Sequence, residues 1–227
     1  MTARITGAGT AARPLAWPDD PEGVTAADID FEALAHVLAN TCRRGGCCRQ
    51  YHSVAAHAVI VSEEIEALDG LGDEDRRTLA LHALLANAPS AWLRGRLPDS
   101  QRAAERAGRL ATGIETAVRE AAGLDAILDE DHGELLRFVT RMAAAAERRD
   151  LLDANAASGI AFPPLKRRIR PIPPDKAAEA WLARFRALAG PEAERLRRGA
   201  TSGSGAGTGD VEPDSGSPEG ASDAPRG

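Results

Sequence analysis

Aromatic side chains are scarce: they make up 4% of the 227 residues, with a single tyrosine. A core assembled from this chain must rest on alanine, leucine and valine. Cysteine is scarcer still. The three, Cys42, Cys47 and Cys48, form an odd set crowded into seven positions, which makes a poor disulfide framework and points to reduced thiols. No apolar run approaches the roughly 18 residues that cross a bilayer. The first twenty residues hold no apolar h-region, so a secretory signal is not expected and the chain reads as cytoplasmic. Positive charge is also in short supply. The formal net charge is −6, and the last 29 residues carry five acids against Arg226 alone. The body before them is nearly neutral, which argues against general nucleic-acid binding, because that needs a basic surface to displace counterions. Strands are missing too, since no stretch alternates with period two for long enough.

What is present is helical periodicity. In DFEALAHVLAN, Phe31, Leu34, Val37 and Leu38 share one face, with Asp30 as a cap. TCRRGGCCRQY breaks the pattern at Gly45-Gly46 and reads as a loop. A second helix begins at Ser53, with Val54, His57, Ala58, Val61 and Ile65 on one side. It stops at Gly70. Asp73 is positioned to cap a third, which Pro89 ends near Ala88. A short piece lies at Ser90–Leu93. A fourth helix opens at Pro98-Asp99 and closes at Gly123, and a fifth covers roughly 133–156. AFPPLKRRIRPIPP is irregular. The last helix, 175–190, aligns Ala178, Trp181, Leu182, Phe185 and Leu188. The expected architecture is all-α with six or seven helices. It comprises an extended lead-in (1–26), a helical domain (27–190) and an acidic tail (191–227) rich in glycine, serine and proline. That tail buries too little to order itself.

Three stretches carry a resemblance. They are IDFEALAHVLANTCRRGGCCRQYHSVAAHAV (29–59), LALHALLANAPSAWLRGRLP (79–98) and ERRDLL (147–152) with AEAWLARFRAL after it. In order and spacing they resemble the HD-domain phosphohydrolases, in the branch of bacterial nucleotidases of the YfbR type. The resemblance covers roughly residues 5–190, and its most specific part is the Gly-Gly loop followed by Ser-Val-Ala-x-His. It implies an HD-domain-like helical bundle. In such enzymes a divalent metal, held by two histidines and two aspartates from separate helices, activates water against a phosphate ester.

Carried over position by position, the first ligand falls on His57, which is retained. The His-Asp pair falls on Ala86 and Asn87, the nearby glutamate on Ser90 and the last aspartate on Thr140. One ligand of four remains. Losing two carboxylates and an imidazole removes most of the affinity for a divalent ion. The resemblance therefore implies a degenerate member with no confident catalytic residue, with His57 as a vestigial ligand and no cofactor expected. Arg43, His52 and Asn87 are candidates to contact a nucleotide or another phosphorylated small molecule, Arg43 because a guanidinium fork matches phosphate geometry.

An active enzyme with relocated ligands is the alternative. It would use His52, His57, His82 and a carboxylate such as Asp131 to hold Mn, Co, Ni or Mg. A zinc module from Cys42, Cys47, Cys48, His52 and His57 matches no standard spacing, and adjacent cysteine side chains diverge. Arg94 and Arg96 would make the site mouth more basic. The run Lys166, Arg167, Arg168, Arg170 reads as a solvated connector. Trp92, Trp181 and Phe185 read as core, and Glu147, Arg148, Arg149 and Asp150 as structural ion pairs. No protein partner can be named from the sequence.

Overall fold

In the computed structural model, residues 23–93, 101–124, 128–153 and 162–202 are described. Seven α-helices are formed among them: α1 (Phe31–Asn40), α2 (Val54–Glu66), α3 (Asp73–Leu85), the single turn α4 (Ser90–Leu93), α5 (Gln101–Ala121), α6 (Glu130–Leu151) and α7 (Pro174–Ser202). The described residues contain no strand, only one isolated antiparallel bridge between Cys42 and Ser53. The chain is an all-α bundle.

Local chemistry sets the helix starts. Asp30 accepts hydrogen bonds from Glu32 N and Ala33 N and caps α1. Ser53 Oγ accepts from Ala56 N at 3.1 Å and caps α2. Pro174 opens α7 in the one position where its missing N–H costs nothing. Several boundaries differ from the sequence reading. Asp73 is the first residue of α3 rather than its cap. Gly72 takes the cap position, and Asp73, Glu74 and Asp75 fill the first turn, where the helix dipole favours acids. Helix α6 starts three residues early because Asp129 caps it, accepting from His132 N, and it ends at Leu151. Helix α7 continues past Gly190, where a left-handed φ of 69° interrupts it, and runs to Ser202 through residues assigned to the tail. At the other end, Val24 and Ala26 of the expected lead-in pack on the core. Arg94, Arg96 and the tail from residue 203 lie outside the described residues.

Helix α2 is the centre. It contacts α1, α3, α6 and α7, and nine of its thirteen residues are buried. A helix covered on nearly every side shows little amphipathic contrast. Its polar Ser62 is satisfied by donating to Ala80 O (2.7 Å) and accepting from Arg184 Nε (2.8 Å). The few aromatics are concentrated where α7 crosses α1. Phe31 stacks on Phe185 with centroids 4.0 Å apart, and Trp181, fully buried, stacks on Phe185 at 5.7 Å. Trp92 is buried as well.

Candidate functional site

The loop between α1 and α2 is closed by its main chain. Arg43 N donates to His52 O (2.8 Å) and Val54 N donates to Thr41 O (2.9 Å), which pinches the loop and sets Arg43 opposite His52. Between them the backbone takes a 3-10 turn, Arg43–Gly46, in which Arg44, Gly45 and Gly46 have φ of 53°, 60° and 82°. Two glycines adopt this left-handed region freely. Arg44 does not, and it is the one non-glycine with positive φ among the described residues. Such a conformation costs about 1–2 kcal/mol and persists only where contacts enforce it. Here Arg44 Nη2 donates to Ala144 O at 2.6 Å and Nε donates to Glu147 Oε2 at 3.3 Å.

Glu147 is the hub. It sits on the apolar stripe of α6 in the series Val139, Ala143, Glu147, Leu151, all buried. Its Oε1 accepts from His57 Nδ1 (2.5 Å) and His52 Nε2 (3.2 Å). Its Oε2 accepts from Arg43 Nη2 (3.4 Å) and Arg44 Nε (3.3 Å). A carboxylate offers about four lone-pair sites, and all are taken. Because an ionised carboxylate only accepts, each facing ring nitrogen carries a hydrogen, which fixes the proton of neutral His57 on Nδ1. Burial pushes the Glu147 carboxyl up, but the bonds from His52 and His57 and the charge of Arg43 outweigh it and hold the group well below the usual range. Burial pushes His57 down, against the pull of Glu147 and with help from Arg43. The state that satisfies both is an anionic Glu147 beside a neutral His57.

Arg43 completes the arrangement. Its Nη2 is 3.3 Å from both ring nitrogens of His57. A donor equidistant from the two, at that range, cannot lie in the ring plane without colliding with Cε1. Arg43 Nη2 therefore lies over the ring face. Arg43 and Arg44 keep roughly a fifth to a quarter of their side-chain surface, 22% and 24%, while Glu147 keeps none. Two guanidinium charges against one carboxylate leave the loop with a positive surplus at its open side.

The structure thus brings Arg43, His52 and His57 together. His52 is 2% exposed, so it supports Glu147 from inside rather than lining the surface. Among the described residues, none of the remaining positions makes a side-chain hydrogen bond or ion pair with this cluster. Ala86 caps the C-terminal end of α3 and is exposed, and Asn87 and Ser90 lie in and after the following turn, half-buried. Thr140 Oγ1 donates to Leu136 O within its own helix (2.7 Å). His82 is buried, with Nε2 unpartnered among the described residues; burial first, and then the charge of Arg119, push it down to about 4. Asp131 is exposed in the first turn of α6. Sixteen helical residues, about 24 Å, separate it from Glu147, so the relocated set of His52, His57, His82 and Asp131 is not assembled. Cys42 and Cys47 are exposed and Cys48 half-buried, all as free thiols. Among the described residues no group of three or more His, Cys, Asp or Glu is placed to hold a metal ion.

One turn further along α6 a second charged assembly pins the proline-rich connector. Arg149 forks onto Asp150 through Nε (2.8 Å) and Nη2 (2.6 Å), and also donates to Leu165 O and Arg167 O. Asp150 accepts in addition from Arg168 Nη1 (2.6 Å) and Ile169 N (2.9 Å). The Arg149 fork foremost, then the Ile169 amide and Arg168, hold its carboxyl well below the usual range despite burial. Arg167 pairs with Glu63 at 2.8 Å. Arg167 and Arg168 are exposed, as a solvated connector has them, and each in addition pairs with an acid of a neighbouring helix.

The sequence reading placed Glu147 among ion pairs but missed its two histidines. The available signal was a lone acid at i+4 spacing within an apolar stripe, since a buried carboxylate has to find partners.

No family model matches the chain. A curated protein of Escherichia coli K12, described as uncharacterized protein YfdR, is 28% identical over 131 residues, which is 55% of this chain and 62% of that relative. The chain thus spans about six tenths of the relative's length. No helix among the described residues is long and apolar enough to cross a membrane.

Proposed function

We propose that the chain is an HD-phosphohydrolase-like protein that has lost hydrolysis and retains an oxyanion pocket at Arg43 and Arg44. The observation that carries this reading is the state of the one histidine that matches a ligand of the resembled family. His57 is tied through Nδ1 to a carboxylate whose acceptor sites are all filled, and a guanidinium nitrogen lies over its face. A divalent cation approaching that imidazole meets a positive charge, and Ala86, Asn87 and Thr140 supply no anion to offset it. The same surplus of charge attracts a phosphate or nucleotide monoanion, for which Arg43 is the partly open contact. Free thiols at Cys42, Cys47 and Cys48 suit a reducing cytoplasm.

The test is metal analysis of protein purified without chelators, followed by assay against nucleoside monophosphates with added Mn, Co, Ni or Mg. The expected outcome is substoichiometric metal and no turnover, with nucleoside monophosphate shifting the backbone amide resonances of residues 43–46. Stoichiometric metal with turnover overturns the reading in favour of an active phosphohydrolase.

A further inference from the structure

Beyond the Asp150 assembly lies a half-open cleft of about 340 Å³, between Arg49–Gln50 of the loop, the end of α6 at Leu151, and Ile169–Pro171 of the connector. This volume is in the range of small-molecule sites. Its chemistry is divided. Leu151 and Ile169 are buried, at 3% and 5% exposure, and with Pro171 they give an apolar floor. Arg49, Gln50 and Arg170 are exposed around it.

Asp150 also borders the cleft but offers it little negative charge. Both of its oxygens are occupied, and Arg149 and Arg168 face them. Arg49 is held in place twice, by its amide on Leu151 O (2.9 Å) and by Nη2 on Asp150 O (3.0 Å). A carbonyl neutralises nothing, so its charge stays available. Arg170 has no hydrogen-bond or ion-pair partner among the described residues. Four guanidinium groups against one carboxylate leave this end of an otherwise acidic chain locally positive.

We propose that this cleft binds a small phosphate monoester. Its phosphate would sit between Arg49 and Arg170, with the Gln50 amide as a further donor, and its apolar group would lie on Leu151, Ile169 and Pro171. Two separate forks favour phosphate over carboxylate, because a phosphate monoester presents three terminal oxygens and a carboxylate only two, which one arginine satisfies. The proposal does not depend on the Arg43 pocket.

Calorimetric titration of the full chain with phenyl phosphate and with inorganic phosphate, at matched ionic strength, tests it. The Arg170→Glu variant removes no internal contact and keeps the fold. Saturable binding is expected, several-fold tighter for phenyl phosphate, weakened tenfold or more by Arg170→Glu, with amide resonances moving at Gln50, Leu151 and Ile169. Absence of saturable binding overturns the proposal. So does binding indifferent to Arg170→Glu, or no advantage for the phenyl group. Shifts confined to residues 43–46 overturn it too, while leaving the Arg43 pocket standing.

Discussion

Glu147 holds four donors on one buried carboxylate, so its removal orphans all of them together. Glu147→Gln keeps the shape but turns one acceptor into a donor facing histidine N–H or guanidinium groups. Breaking a buried charge arrangement from one side costs about 3–5 kcal/mol. The urea midpoint is expected to fall accordingly, and Arg44 is left with its bond to Ala144 O as the contact that holds its left-handed conformation. A variant as stable as the parent would mean that the four contacts contribute little. His82 gives a pH-dependent counterpart. Its folded pKa, near 4, lies below the unfolded value of about 6.5, so the unfolded chain takes up the proton first. Its contribution is complete above the unfolded value and is lost as pH falls from about 6.5 towards 4. Stability is expected to be about 1–2 kcal/mol lower at pH 5 than at pH 7 from this residue. Denaturation of His82→Gln at both pH values checks it, since the gap is expected to shrink. His57 and Glu147, both lowered, act in the same direction.

Helix positions were readable from spacing and caps: Asp30 before α1, the face of α2 from Val54 to Ile65, and the stripe of α7 from Ala178 to Leu188. The errors fall at helix ends, where a single cap decides. Asp129 was not weighed against Gly133, and Gly72 took the cap that Asp73 seemed placed to provide. The connector after α6 was less legible because its order comes from contacts distant in sequence. Arg167 reaches Glu63, and Arg168 with the Ile169 amide reaches Asp150. Asp150→Asn is therefore expected to release this segment while leaving the helices intact. A loss of about 1–3 kcal/mol, with faster hydrogen exchange at Ile169 and unchanged helical circular dichroism, is the expected result. Unaltered exchange there would show that Pro164, Pro171 and their neighbours hold the connector unaided.

Taken together, the bundle separates its scaffold from its chemistry. The elements that position the cluster (α2, α6 and the pinched loop) are held by apolar burial and main-chain bonds, and the periodicity of the sequence reports these well. Which side chains meet inside was only partly legible. Arg43 and His57 were singled out from a resemblance, whereas the hub that joins them lies ninety residues from His57. If the HD-phosphohydrolase-like reading proposed above is right, Ala86→His, Asn87→Asp and Thr140→Asp combined are expected to confer binding of one Mn²⁺ per chain by calorimetry. A folded triple variant that takes up no ion would show that these three positions do not face His57.

The pairing of Cys42 with Ser53 bears on how such a molecule can change. The loop is cinched by amides and carbonyls, at Arg43 with His52, Val54 with Thr41, and Arg49 with Leu151, and these bonds are indifferent to the identity of the residues that supply them. Of the residues between the two ends, Cys47 and Gln50 can be rewritten without undoing the clasp or stranding Glu147, whereas Arg43, Arg44 and His52 satisfy that carboxylate and Gly45 and Gly46 hold the left-handed turn. A lineage, or a protein engineer, is thus able to vary this turn at little cost to folding at those two positions alone.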